Sequence, residues 1–158
     1  MSKPHRTEEA VSESTLPADR IDVWSVRLDI DAAHVERLWD SLSADERARA
    51  DRFAFDRDRR RFVVGRGAVR SILASYVGAK PAEVRFTYGP NGKPFLADSP
   101  PKDALQFNAS GSQELAVCAV TLGREVGIDI EACRPIEDEA FVEQCLAPDE
   151  RQAYATLS

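Results

Sequence analysis

Asp129 and Glu131 are the residues best spaced to do chemistry. They alternate with Ile128 and Ile130 in the run Gly127-Ile128-Asp129-Ile130-Glu131. In an extended strand, residues two apart share a face, so both carboxylates would project together while the isoleucines point into a core. Two carboxylates beside a basic segment are a start on a hard-cation site, because Mg²⁺ takes one or two carboxylates together with substrate phosphates. The alternative stays open that these acids line the wet face of an ordinary half-exposed strand.

The second candidate is Asn108-Ala109-Ser110-Gly111-Ser112. A small, hydroxyl-rich turn between strands could aim backbone N–H groups and two hydroxyls at a phosphate. It would serve equally as a plain hairpin turn. Gly65-Arg66-Gly67 falls inside a helical pattern, so it is not a dinucleotide fingerprint. The run Arg57-Asp58-Arg59-Arg60-Arg61 lacks interleaved aromatics for base stacking and is interrupted by an acid, which argues against nucleic acid as a partner.

Charge is distributed unevenly around these candidates. Residues 45–70 hold nine arginines against five acids, whereas residues 125–158 hold nine acids against two arginines. That asymmetry suits a site in which arginines hold a polyanion and carboxylates hold a divalent cation. It suits a generic nucleic-acid binder poorly, since the whole chain carries a net charge of −6. The bland reading is that these charges solvate helix faces.

The chain of 158 residues is 43% hydrophobic, enough for one domain with a real core. No apolar run approaches the roughly 20 residues of a membrane span, and residues 1–20 are polar without a secretory apolar stretch. The three cysteines, Cys118, Cys133 and Cys145, never adopt a CxxC spacing, which points to a reducing cytoplasm.

Elements that would position the candidates follow from periodicity. Residues 21–30 alternate around Trp24, Val26, Leu28 and Ile30 and read as a half-buried strand. Asp31 caps a helix with Val35, Leu38, Trp39 and Leu42 on one stripe, and Ser43 with Glu46 forms a capping-box pattern for a helix reaching about Phe53. A longer helix spans about 57–77 on the stripe Phe62, Val69, Ile72, Leu73 and Tyr76, and Gly78 terminates it. The period then changes to two: strands over 84–88, 93–96, 105–108, a central buried one over 115–122, and another over 126–131. Ser110-Gly111-Ser112 is expected as a tight turn, a polar helix over about 136–145, and a last turn at 147–150. The expected fold class is α+β, helices packed on a mostly antiparallel sheet.

Five stretches in order resemble the 4′-phosphopantetheinyl transferase superfamily, in its larger, surfactin-synthetase-activating type. They are Leu42-Ser43-Ala44-Asp45-Glu46-Arg47 with Arg52-Phe53; Arg60-Arg61-Phe62-Val63-Val64-Gly65-Arg66-Gly67-Ala68-Val69-Arg70; Tyr88-Gly89-Pro90-Asn91-Gly92-Lys93-Pro94; Phe107-Asn108-Ala109-Ser110-Gly111-Ser112; and Val126-Gly127-Ile128-Asp129-Ile130-Glu131. The resemblance runs from about residue 20 to residue 151. It implies transfer of the phosphopantetheine arm of coenzyme A to a serine of an acyl or peptidyl carrier protein, with Mg²⁺, while the composition and charge pattern speak against a membrane or nucleic-acid partner. It implies that Asp129 and Glu131 are the catalytic, metal-binding carboxylates, and that Arg49, Arg61, Lys93, Ser110, Gly111 and Ser112 occupy coenzyme A-binding positions.

The family's Ser-His-Ser turn has Gly111 at its centre here, and Glu46 stands where a basic group is usual. The Trp-x-x-Lys-Glu-Ala-x-x-Lys helix of the family's second half has no counterpart before Ser158. The chain therefore reads as three parts: a disordered arm over 1–20, a transferase-like N-terminal subdomain over 21–135, and a linker with the start of a truncated second half over 136–158. Such a half is expected to self-associate as a homodimer. The alternative function is a non-catalytic module that binds coenzyme A or a carrier protein.

Overall fold

The computed structural model describes residues 16–90, 92–97, 104–133 and 143–156. It opens with strand β1 (Ile21–Arg27), then helices α1 (Ala32–Ser41), α2 (Ala44–Ala50) and α3 (Asp56–Val77). A single 3₁₀ turn at Pro81–Glu83 leads to β2 (Phe86–Tyr88), β3 (Pro94–Leu96), β4 (Leu105–Ser112) and β5 (Leu115–Leu122), and helix α4 (Pro148–Tyr154) comes last. The fold is α+β, as the change of period implies.

Local chemistry accounts for most boundaries. Asp31 accepts the His34 amide at 3.0 Å and so caps α1. Ser43 and Glu46 form the capping box of α2: the Ser43 amide donates to Glu46 Oε2 at 2.9 Å, and the Glu46 amide to Ser43 Oγ at 3.4 Å. That helix ends at Ala50, short of the expected Phe53. Gly78 adopts φ 65° and closes α3 in the left-handed conformation that glycine adopts without penalty.

β5 is the central strand of a three-stranded antiparallel sheet ordered β1-β5-β4. Ile21 pairs with Thr121 and Arg27 with Leu115, while Leu105 pairs with Leu122 and Ser112 with Leu115. The near-continuous apolar run of β5 is thus explained by its position, with Cys118, Ala119, Val120 and Thr121 all buried. β2 and β3 form a separate hairpin. The inner sheet face, carrying Leu105, Phe107, Cys118 and Val120, packs on Val69, Ile72 and Leu73 of α3. A smaller cluster of Leu42, Ala50 and Val63 joins α1 and α2 to the other side of that helix.

Several expectations are corrected. Residues 126–131 are extended but form no backbone ladder, so they are not a strand of the sheet. Ser110-Gly111-Ser112 is not a turn: it lies within β4, paired with 115–117, and the chain reverses at Gln113-Glu114, where Gln113 takes φ 53°. Serine and glycine are turn-forming by composition, but eight consecutive cross-strand pairs outweigh that preference. β1 stops at Arg27 rather than Ile30, and Ile21 and Val23 stay 52% and 61% exposed. Ala147-Pro148-Asp149-Glu150 opens α4, with Glu150 accepting the Ala147 amide at 2.8 Å. Leu16, inside the stretch expected as an unpacked arm, is buried in the main core. The rest of that stretch, 1–15, lies outside the described residues, as does most of the helix expected over 136–145; residues 143–145 are helical. No described helix is long and apolar enough to cross a membrane.

Candidate functional site

A cleft of about 490 Å³ lies between α3 and β4, within the range of small-molecule sites. Arg61, Phe62, Gly65, Arg66 and Val69 line it from the helix, and Phe107 to Gly111 line it from the strand. These helix positions follow from the 3.6-residue period, since 62, 65, 66 and 69 recur on one face. Three of the lining residues are small: Gly65 on the helix, and Ala109 and Gly111 on the strand. Its charged donors are the guanidinium groups of Arg61 and Arg66, whose planar N–H forks suit phosphate.

Arg66 was not singled out by sequence, and its setting is specific. Its Nε lies 3.3 Å from Glu46 Oε1, its guanidinium stacks 5.2 Å from the centre of the Phe86 ring, and one Nη reaches the Tyr88 hydroxyl at 3.5 Å. The signal that could have found it is its place one helical turn from Phe62 and Arg70. Glu46, in contrast, does not face the cleft as a repelling charge. It is 4% exposed and paired with Arg70 at 2.6 Å as well as with Arg66.

The carboxylates meet the cleft at Ser110. Ser110 is one of the residues of the cleft wall, and its hydroxyl donates to Asp129 Oδ1 at 2.5 Å, while the Ser112 hydroxyl reaches Glu131 Oε2 at 3.4 Å. Asp129 and Glu131 are both exposed, as the alternation of 127–131 predicts. Glu131 and Ser112 border a second, neighbouring hollow of about 330 Å³ that also contains Arg27 and Asp29.

The segment carrying these acids is attached to β4 through side chains. The Ile128 amide donates to Asn108 Oδ1 at 3.1 Å, the Ile130 amide to Ser110 Oγ at 3.4 Å, and the Ala132 amide to Ser112 Oγ at 3.1 Å. Asn108 is thus a second residue that sequence reasoning left without a role. Its shared parity with Ser110 and Ser112 along one strand is the signal that could have found it.

Of the remaining expected residues, Gly111 lines the cleft and Lys93 and Arg49 do not. Lys93, next to β3, donates from Nζ to the Val126 carbonyl at 3.2 Å, which places its ammonium at the start of the acidic segment. Arg49 stacks 5.2 Å from the centre of the Phe62 ring, and Phe62 lines the cleft. Gly111 lies on the cleft wall with no side chain to offer, so the structure assigns it space rather than a contact. Two exposed carboxylates are hard oxygen donors that fit a Mg²⁺ ion sharing its shell with water and phosphate. Among the described residues no group of three or more His, Cys, Asp or Glu side chains gathers as a metal cage.

A family model described as 4′-phosphopantetheinyl transferase, N-terminal, matches residues 30–122, which include α3, the hairpin and β4. The chain belongs to the 4′-phosphopantetheinyl transferase family. It is 43% identical over 144 residues to the 4′-phosphopantetheinyl transferase HetI of Nostoc sp., covering 90% of this chain and 61% of that protein. The 4′-phosphopantetheinyl transferase Sfp of Bacillus subtilis is 34% identical over 104 residues, covering 66% of this chain and 45% of its own length. A holo-(acyl-carrier-protein) synthase from Bacillus anthracis, solved in complex with CoA (3′,5′-ADP), aligns over 65% of this chain and 93% of its own at 25% identity and a TM-score of 0.47. This family member spans 61% or less of the length of the curated relatives named here.

Proposed function

We propose that this chain carries the coenzyme A-binding cleft and the carboxylate pair of a phosphopantetheinyl transfer reaction. The observation that carries the reading is Ser110, a residue of the arginine-bearing cleft wall whose hydroxyl is bonded to Asp129. Phosphate and cation sites are thereby adjacent, as a pyrophosphate substrate requires. In this reading Arg61 and Arg66 hold phosphate oxygens within the cleft, and Arg49, stacked on Phe62, and Lys93, bonded to Val126, add positive charge. Asp129 and Glu131 supply two oxygen ligands to Mg²⁺. When bound, the ion would neutralise the pyrophosphate and stabilise the charge on the leaving group.

The reaction forms a bond between the carrier serine oxygen and the phosphorus bearing pantetheine. It breaks the bond from that phosphorus to adenosine 3′,5′-bisphosphate, with net release of one proton. The chain's own contribution is positioning and electrostatic stabilisation. An acyl or peptidyl carrier protein is the acceptor in this reading. A cytoplasmic location accords with the free thiols of Cys118, Cys133 and Cys145. Exposed Ile21 and Val23 on the outer sheet face support self-association as a homodimer, and a stable monomer in sedimentation at micromolar concentration would overturn that part.

Release of adenosine 3′,5′-bisphosphate from coenzyme A in the presence of apo carrier protein and Mg²⁺ tests the reading. Release equal to the carrier added, slowed about 100-fold or more by Asp129→Ala, is the expected result. Gly111 in place of the family's histidine favours a second reading, a module that binds coenzyme A without turnover. Tight coenzyme A binding with no release would establish that alternative.

A further inference from the structure

The extended segment after Val126 runs alongside β4 at a constant offset. Residues 108, 110 and 112 of β4 take the amides of 128, 130 and 132, so each partner lies 20 positions on. Both numbers rise together, so the two stretches run parallel. In an ordinary parallel ladder those amides would donate to backbone carbonyls. Here three side-chain oxygens on one face of β4 receive them instead. The Ser110 and Ser112 hydroxyls then use their protons on the intervening carboxylates, Asp129 and Glu131. Each serine therefore fixes a backbone amide and the carboxylate one residue before it. Asn108 fixes only the backbone, and touches neither carboxylate through any of its bonds described here.

We propose that Asn108, Ser110 and Ser112 are positioning residues, a side-chain zipper that sets the register and orientation of Asp129 and Glu131 at the mouth of the cleft. Because backbone N–H groups need partners, these three bonds in succession tie residues 128–132 to β4, where Asp129 and Glu131 are exposed and Ile128 and Ile130 only half-buried. Two serine hydroxyls consumed in this way are directed at the acidic segment rather than at a phosphate. The inference rests on the reading that Asp129 and Glu131 hold a divalent cation.

Asn108→Leu tests it, since it keeps similar volume but removes the acceptor, and Asn108→Asp restores an acceptor oxygen. Two readouts are taken on the full chain: hydrogen exchange of the Ile128, Ile130 and Ala132 amides, and binding of Mn²⁺ alone followed by its electron paramagnetic resonance signal. Asn108→Leu is expected to speed exchange of the Ile128 amide by about two- to tenfold, the worth of one hydrogen bond. It is expected to weaken Mn²⁺ binding several-fold although Asn108 is not a ligand, with Asn108→Asp recovering both. Ser112→Ala, with Ser112→Thr as its rescue, provides the same pair of readouts should Asn108→Leu fail to fold. Unchanged exchange would overturn the zipper, and faster exchange with unchanged Mn²⁺ affinity would overturn its positioning role. If wild type and Asp129→Ala bind Mn²⁺ equally poorly, the cation reading falls, and the exchange data alone then decide whether the zipper holds the segment.

Discussion

Arg70 donates from Nε to Glu46 Oε2 at 2.6 Å, with the two side chains only 2% and 5% exposed. The same guanidinium donates to the carbonyls of Pro81 and Val84 at 2.9 and 2.8 Å. One buried cation thus joins α2, α3 and the 3₁₀ turn, and Glu46 balances its charge. Because Glu46 also pairs with Arg66, the network reaches the cleft wall.

Removing one partner of such a pair leaves the other buried and uncompensated. Glu46→Ala is therefore expected to lower the unfolding free energy by about 3–5 kcal/mol. Urea denaturation measures it, and a loss below about 1 kcal/mol, the scale of an exposed pair, would contradict the account.

At Gly67, α3 passes close to α1. A Cβ there would lie 2.7 Å from Leu38 Cβ, nearer than packed carbons approach. Gly67→Ala should cost about 1–3 kcal/mol by overpacking. Gly65→Ala, whose Cβ would meet Leu28 Cδ2 at 3.7 Å, should not destabilise the chain, since alanine is the better helix former. Equal thermal stabilities for the two variants would refute this assignment.

Gly111 has room for a side chain. Its added Cβ would contact Ala116 Cβ and the Leu115 carbonyl at 3.6 Å, ordinary van der Waals distances. Gly111→His brings a titratable donor to the cleft. Calorimetry should show coenzyme A binding tightened by about threefold to tenfold at pH 6, and less at pH 8 where the imidazole is neutral. Weaker binding at both pH values would exclude Gly111 from the coenzyme A site.

Stability should fall at both ends of the pH scale through one pair of residues. The Tyr76 hydroxyl donates to Asp22 Oδ2 at 2.7 Å and accepts from Trp24 Nε1 at 2.9 Å. The bond from Tyr76, then that from Arg20, holds the Asp22 carboxyl below its ordinary range; burial first, and then the bond to Asp22, pushes the Tyr76 hydroxyl up to about 12. Asp22's contribution is present above the unfolded carboxylate value of about 3.9 and is lost as pH falls through the depressed folded value. Tyr76's is present below the unfolded value of about 10 and is lost as pH rises through about 12. Tyr76→Phe should flatten the alkaline limb and shift the acid limb of urea midpoints plotted against pH. Limbs parallel to wild type would show that the pair contributes nothing.

What was legible in the sequence was what neighbouring residues decide. Asp31, the Ser43 and Glu46 box, Gly78 and the apolar run of β5 each act within a few positions, and each is found where periodicity and capping chemistry place it. The alternation of 127–131 correctly implied an extended segment with both acids outward. It could not show that the partners of its amides are side chains of Asn108, Ser110 and Ser112, because a period of two is the same whether a backbone or an asparagine receives the hydrogen bond. Ser110 to Ser112 misled by composition, and the buried charges Glu46 and Arg70 lie 24 positions apart, beyond any local pattern. Val63 and Val64, fully buried in α3, fell outside the expected stripe because α3 is packed by α1 and α2 on one side and by the sheet on another.

The intact mass of an apo carrier protein, after incubation with this chain, coenzyme A and Mg²⁺, decides whether the chain transfers the phosphopantetheine arm. A gain of one phosphopantetheine arm, abolished by Asp129→Ala, is the predicted result. An unchanged mass, with a longer relative of the family modifying the same carrier in parallel, would contradict it.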